Sequence, residues 1–297
     1  MQLKKLKTEK PNRASANLDT MSALGIASLM NRQDAMVPRA VKRVLPQVGR
    51  AIDLVAQQIG RGGRLIYVGT GTSGRIGALD AVEIPPTFGT KPGTTQFVIA
   101  GGEPALARAT EASEDSAALG RLDMAARKPR ESDVIVGIAA SGRTPYTIGA
   151  LEYAGQKGAA TIAVVCNHGS ALARIAQIAI EVDVGPEVLT GSTRLKAGTA
   201  EKLICNMLST GAMVRLGYVY GNLMVNLRAK NKKLFERAVS IIEQVAQVKR
   251  GIAVQALESA GMQVPLALLM LRANLTRTEA MRRLKAASGI VSKALEG

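Results

Sequence analysis

The sequence predicts an α/β protein with a mainly parallel sheet, on three observations. Five short apolar segments, at 65–68, 96–100, 134–139, 161–166 and 178–184, are spaced through the middle of the chain. Stretches with helical periodicity lie between them, the alternation that builds strand–helix–strand units. Two of the strand-to-helix turns carry the same hydroxyl-rich phrase, Gly69-Thr70-Gly71-Thr72-Ser73-Gly74-Arg75 and Ala139-Ala140-Ser141-Gly142-Arg143-Thr144-Pro145. At 297 residues and 47% hydrophobic content the chain can bury a substantial core, and its length points to about two domains.

Ahead of the first strand, helical periodicity runs over 19–31 and again over 38–60, where Val41, Val44, Leu45, Val48, Ile52, Val55 and Ile59 recur at three- and four-residue steps. Gly60-Arg61-Gly62-Gly63 ends that run. Residues 1–54 read as an N-terminal helical segment and 55–218 as the α/β domain. The helix that opens at the first hydroxyl-rich turn is expected to stop at Glu83, before the rigid Ile84-Pro85-Pro86. A helix is expected over 109–116, with Glu111 and Glu114 on one face at three-residue spacing and Asp115 beside them. A long helix from 196 to 216 ends near Gly217, and a polar helix over 222–233 forms most of a connecting segment, 219–234. Residues 235–297 read as a small three-helix domain, with apolar stripes (Ile241, Ile242, Val245; Leu266, Leu268, Leu269, Leu271) interrupted by Gly251, Gly261 and Gly289.

Composition excludes several classes of function. The basic N-terminus lacks the apolar core of a secretory signal, and no stretch is long and apolar enough to span a bilayer. Cys166 and Cys205 are too few for a disulfide framework, and no Cys/His spacing resembles a zinc site. The expectation is a reduced, cytoplasmic protein without metal. Thirty-nine Lys and Arg against 23 Asp and Glu give a net charge of +16, which attracts anions. The basic residues are spread along the chain and aromatics make up 3%, which leaves few stacking platforms for nucleic acid, so no specific nucleic-acid partner is expected. Anionic small molecules fit the charge equally well.

Each hydroxyl-rich turn sets backbone N–H groups and side-chain hydroxyls at the start of a helix, where the positive end of the helix dipole favours phosphate. Glycines that merely permit a tight turn, with hydroxyls that cap the helix, are the bland alternative for either turn alone. A third polar turn, Thr190-Gly191-Ser192-Thr193-Arg194-Leu195-Lys196, opens the long helix and adds two cations; three such turns favour a phosphosugar site. Gly69-x-Gly71-x-x-Gly74 also matches the dinucleotide fingerprint, but the acidic residue expected about 20 residues on is missing, the first candidate being Glu103. The only histidine, His168, lies in the loop after the fourth apolar segment and reads as an exposed or capping residue. Carboxylates are then the natural proton-transfer groups, and spacing alone does not choose among Glu83, Glu111, Glu114 and Asp115.

These residues resemble the N-acetylmuramic acid 6-phosphate etherases, built on the sugar isomerase (SIS) fold. The resemblance covers nearly the whole chain. It rests on Thr8-Glu9 with Asn12, Ser15 and Asp19, on the run from 65 to 86, and on Ala100-Gly101-Gly102-Glu103 and Glu111-x-x-Glu114-Asp115. It continues through 137–146, 187–202, Asn206-Met207-Leu208-Ser209-Thr210 and Gly221-Asn222-Leu223-Met224-Val225. Two positions depart from the family: Ile84 stands where Cys is common, and His168 where Pro is common.

The resemblance implies cleavage of the ether joining D-lactate to C3 of N-acetylmuramic acid 6-phosphate, giving N-acetylglucosamine 6-phosphate in cell-wall recycling, without metal or cofactor. It implies that Glu114 removes the C2 proton, while Glu83 assists lactate departure and then activates water. Thr72, Ser73, Ser141, Thr144, Ser192 and Thr193 would hold phosphate or sugar hydroxyls, with Arg194 and Lys196 supplying positive charge. A homodimer is implied too, whose Thr8 to Asp19 segment could reach a partner's site. Two competing readings are a phosphosugar sensor that binds without turnover, and a transcription regulator, which would need a helix-turn-helix unit that the sequence does not show.

Overall fold

The structure, a computed structural model, describes residues 6–108, 113–227 and 231–296. The chain forms two compact units: Met1–Val82 with Gly93–Ser209, and Glu83–Pro92 with Thr210–Gly297.

In the first unit, short 3-10 turns lead from Lys7 to helix α1 (Ala23–Asp34), whose first turn is capped by the Ser22 hydroxyl accepting from Gly25 N. The continuous helix expected over 38–60 is instead two, α2 (Val37–Lys42) and α3 (Leu45–Gly60). Pro46 causes the break, because it has no N–H to return to the Lys42 carbonyl and sits comfortably only in a first turn.

The five apolar segments are five strands, with bounds within a residue or two except at the last: β1 (Leu65–Gly69), β2 (Thr95–Ile99), β3 (Val134–Ile138), β4 (Ala160–Val165) and β5 (Ile178–Glu181). All pair in parallel, in the order β2-β1-β3-β4-β5. Every residue of β1, β3 and β4 is buried, which is why those strands read as continuous apolar runs without alternation. Asp133, fully buried, fixes the start of the β1–β3 pair: its carboxylate accepts from Arg64 N at 2.9 Å, from Arg64 Nη2 at 2.6 Å and from Arg130 N at 2.9 Å.

Helices connect the strands: α4 (Gly71–Phe88) after β1, α5 (Pro104–Ala107) and α6 (Ala117–Ala126) after β2, α7 (Pro145–Gln156) after β3, α8 (Ala171–Ile175) after β4, and α9 (Lys196–Arg215) after β5. α7 packs on β1, β3 and β4, and α3 on β3 and β5. α6 and α7 meet at backbone distance, since a Cβ on Gly120 would lie 2.0 Å from the Tyr146 carbonyl and one on Gly149 2.2 Å from that of Ala117.

The expected stop at Glu83 does not occur, and α4 continues through Pro85 and Pro86 to Phe88. A proline inside a helix strips the carbonyl four residues earlier of its donor. For Pro85 that carbonyl belongs to Ala81, and the buried Thr95 hydroxyl donates to it at 2.8 Å. Thr95 opens β2, so this bond also ties Ala81 of α4 to the amino-terminal edge of the sheet.

In the second unit, the helix expected over 222–233 does not form across the described residues 222–227, and 228–230 lie outside them. Gly217 and Gly221 take positive φ, and Tyr220 and Leu223 close a tight two-way bridge instead. The three helices expected over 235–297 are five: α10 (Lys232–Ala246), α11 (Arg250–Ser259), α12 (Val264–Arg272), α13 (Arg277–Ala286) and α14 (Val291–Glu296). Gln247, Met262, Asn274 and Ser288, all at positive φ, divide the chain at the four junctions, and Gly251 lies inside α11 without breaking it. A core around Val239, Ile242, Leu257, Leu266, Leu269 and Val291 holds the five together. Among the described residues no single helix is long and apolar enough to cross a membrane.

Candidate functional site

The strand order reverses at β1: the chain leaves it toward β2 on one side, then returns across to β3 on the other. Where neighbouring strands send their connections in opposite directions, the loops at their carboxyl ends part and leave a crevice, the usual ligand site of open parallel sheets. The two loops that part here are the hydroxyl-rich turns. Register pairs Gly69 with Ile138, so the turns start side by side. Gly69 admits no side chain, because a Cβ there would lie 2.9 Å from both the Ile138 carbonyl and Gly74 N.

Thr72 and Ser73 occupy the first turn of α4, and Ser141 and Thr144 precede α7, with Pro145 at its first position. Ser141 Oγ accepts from Arg143 N at 3.2 Å, while Thr144 makes no side-chain capping bond to α7. The third turn joins them through the start of α9, since a Cβ on Gly198 would lie 3.5 Å from Thr72 Cγ2. Ser192 and Thr193 are half-buried and Arg194 is exposed. All six hydroxyl residues thus lie on turns that the first unit gathers around the carboxyl ends of β1 and β3.

Glu114 belongs to the same place. Its Oε1 lies 3.2 Å from where a Cβ on Gly71 would stand, at the head of α4, and its carbonyl accepts from Tyr146 N at 3.0 Å, in the first turn of α7. The helix expected over 109–116 is absent from its described part: 113–115 form a turn, because Ser116 caps α6 by accepting from Leu119 N, so helix begins only at Ala117. Glu111 lies outside the described residues.

Lys196 does not present its charge to the crevice. It is fully buried, and its ammonium donates to Gln33 Oε1 at 3.1 Å. Burial pushes its pKa down and that of the neighbouring Glu187 up. Glu187 caps α9, accepting from Lys196 N at 3.0 Å and Ala197 N at 2.9 Å, which satisfies two of the four N–H groups a helix start leaves open. The N-terminal segment docks on the turns of its own chain: Asn167 Nδ2 donates to Thr8 Oγ1 and to the Ala140 carbonyl, and Glu9 Oε2 approaches Gly191. Asn12 Nδ2 shares Gln33 Oε1 with Lys196.

Comparison with known proteins gives this arrangement its family. Residues 47–155 match the glucokinase regulatory protein N-terminal SIS domain, residues 110–210 the SIS domain, and residues 221–260 the C-terminal lid domain of glucokinase regulatory protein. The N-acetylmuramic acid 6-phosphate etherase of Burkholderia lata is 52% identical over 99% of this chain and 97% of its own. That of Clostridium beijerinckii is 49% identical over 100% and 97%. The chain belongs to the N-acetylmuramic acid 6-phosphate etherase family. Among solved structures, a candidate phosphosugar isomerase involved in capsule formation from Bacteroides fragilis is 20% identical with a TM-score of 0.50, covering 65% of this chain and 91% of that one, a likeness of fold alone.

Glu83, the other glutamate that the resemblance singles out, lies in the second unit. It is exposed on α4. Conversely, the sequence reading passed over Glu201. This glutamate on α9 is fully buried, accepts from Ser73 Oγ at 2.9 Å and leaves Oε2 without a hydrogen-bond partner. Burial raises its pKa to about 8. Its one sequence signal is a carboxylate on the inward face of an apolar helix, two turns after the third polar turn. Among the described residues, no three His, Cys, Asp or Glu side chains come together as a metal site would require.

Proposed function

We infer that the protein is a carbon–oxygen lyase that cleaves the D-lactyl ether of N-acetylmuramic acid 6-phosphate to N-acetylglucosamine 6-phosphate and D-lactate, in cell-wall sugar recycling. Family membership along the whole chain supports the reaction. The observation that carries the site is Glu114, whose carboxylate stands at the head of α4 among three hydroxyl-bearing turns.

The chemistry follows from the ring-opened sugar. Its C1 aldehyde acidifies the C2 proton, and lactate at C3 is a β leaving group. Removal of the C2 proton forms the C2–C3 double bond as the C3–oxygen bond breaks, and lactate leaves with a proton from an acid. Water then adds its oxygen to C3, and C2 is reprotonated. Glu114 is the base at C2, and Glu83 is the acid that protonates lactate and afterwards activates water. Thr72, Ser73, Ser141, Thr144, Ser192 and Thr193 hold phosphate and sugar hydroxyls together with the open N–H groups of α4 and α7. Arg194 supplies charge at the rim, and Lys196 acts by holding Gln33 and Asn12 in place. The protein works as a cytoplasmic homodimer and needs no metal or organic cofactor.

Incubation with N-acetylmuramic acid 6-phosphate in deuterated water tests this reading by NMR. The expected outcome is D-lactate release with deuterium at C2 of the product. Lactate without deuterium would remove the C2 role from Glu114. Binding without lactate would make the protein a sensor.

A further inference from the structure

Ser73 stands at the boundary between the crevice and the core. It lies half-buried in the first turn of α4, and its Oγ is 2.9 Å from Oε1 of Glu201, which has no contact with solvent. Oε2 of the same carboxyl has no hydrogen-bond partner. The titratable groups that face it are Glu187 from the segment before α9, Cys166 just after β4, and Cys205 one turn further along α9. None of these is a cation, and burial beside carboxylates pushes both thiols well up, so they stay neutral. A carboxylate out of water, next to a second carboxylate, lacks what would stabilise its negative form. Burial accordingly raises its pKa to about 8.

Counting hydrogens decides what Ser73 can do. A serine hydroxyl has one hydrogen to give and lone pairs with which to receive. A carboxylate and a phosphate dianion only accept. When Glu201 is ionised, it takes the single hydrogen of Ser73, and a phosphate oxygen in the crevice meets lone pairs. When Glu201 carries its proton, the carboxyl can donate to Ser73 Oγ, and the serine hydrogen is free for the phosphate.

We propose that Glu201 is a positioning residue for the substrate's phosphate: through its bond to Ser73 it determines whether that hydroxyl directs its hydrogen into the protein or out to a phosphate oxygen. This rests on the etherase reading and on Ser73 as a phosphate ligand. In the working form each member of the row gives one hydrogen in the same direction, from carboxyl to serine and from serine to phosphate. Loss of the carboxyl proton turns the row around and sets a negative charge one side chain away from the phosphate.

Phosphate affinity measured against pH tests it. N-acetylglucosamine 6-phosphate, the product, reports binding by calorimetry without turnover, and its phosphate, with a second pKa of about 6, is a dianion between pH 7 and 9. Over that range the protonated fraction of Glu201 falls about tenfold, so the wild-type Kd is expected to rise about tenfold. KM for N-acetylmuramic acid 6-phosphate is expected to rise in parallel, with kcat little changed. Glu201→Gln is always neutral and its amide can donate to Ser73, so its Kd is expected to stay near the wild-type value at pH 7 and to remain flat. Ser73→Ala is expected to raise Kd several-fold at pH 7 and to flatten the profile, because no hydroxyl is left to turn.

A wild-type Kd that does not change between pH 7 and 9 would overturn the proposal without need of any variant. The same rise in Glu201→Gln would also overturn it, placing the titration elsewhere, for instance at Lys196, whose pKa burial pushes down. An undiminished rise in Ser73→Ala would remove the positioning role, since Glu201 would then act on phosphate without the serine. The etherase reading fails separately: no lactate from N-acetylmuramic acid 6-phosphate at pH 7, with the pH-dependent phosphate binding intact, would overturn the reaction and support the role of Glu201.

Discussion

At the scale of single residues, Glu201 shows how burial changes the chemical meaning of a carboxylate. It sits without solvent contact on α9, accepts from Ser73 Oγ, and its pKa is pushed up to about 8, so the folded protein holds its proton at neutral pH. A neutral carboxyl can donate as well as accept, and when it donates to Ser73 the serine hydroxyl is released to donate to a phosphate oxygen. The unfolded chain loses this proton in the ordinary glutamate range. Stability is therefore fully present below about pH 4.5 and is lost as pH rises through about 8. Glu201→Gln removes that dependence. The variant is expected to gain over wild type as pH rises from 5 to 8, by on the order of 3 kcal/mol at the upper end, with a plateau beyond. Urea unfolding at a series of pH values checks this, and a parallel pH profile for both proteins would contradict it.

At the scale of elements, α4 carries the most consequence. A helix with two adjacent prolines ought to end there, and sequence reasoning accordingly stops it at Glu83. It continues because Thr95, from the next strand, donates to the carbonyl that Pro85 leaves open. Thr95→Val keeps the shape and removes the donor, leaving the buried Ala81 carbonyl unpaired at a cost of about 1–3 kcal/mol. Denaturant unfolding measures that cost. Because the same bond fixes Ala81, two residues before Glu83, kcat is expected to fall more than stability alone would explain, with KM little changed. α6 and α7 play the matching part for Glu114: glycines at 120 and 149 let them touch, and the turn between β2 and α6 is thereby held against the first turn of α7.

At the scale of the whole molecule, a net charge of +16 faces a substrate that carries both a phosphate and a carboxylate. A field of that sign raises the encounter rate with anions and is screened by salt over about 8–10 Å at physiological strength. KM is expected to rise several-fold between about 10 mM and 300 mM salt, with kcat nearly constant. A salt-independent kcat/KM would show that the charge serves something other than substrate capture. The second unit joins this picture through its own packing: its five short helices enclose one core, with left-handed residues at every junction.

The strands and the hydroxyl-rich turns were legible in the sequence because each is a local pattern. A buried parallel strand is an apolar run, and a phosphate-competent turn is a cluster of glycine and hydroxyl residues before a helix, so β1 to β5, Thr72, Ser73, Ser141, Thr144, Ser192 and Thr193 could be named before any coordinate. Helix bounds failed where a partner from another element decides them, as Thr95 does in carrying α4 past its prolines, and where caps and backbone conformation do, as Ser116 does in starting α6 late and positive-φ residues do in cutting the C-terminal region into five helices instead of three. Only the tertiary structure decided that Lys196 is buried against Gln33, that Glu201 belongs beside Ser73, and that Glu114 stands at the head of α4. Local pattern reports what a segment can form. Which side chains then meet depends on contacts between residues from about forty to more than a hundred and sixty positions apart, and no short window of sequence contains both partners.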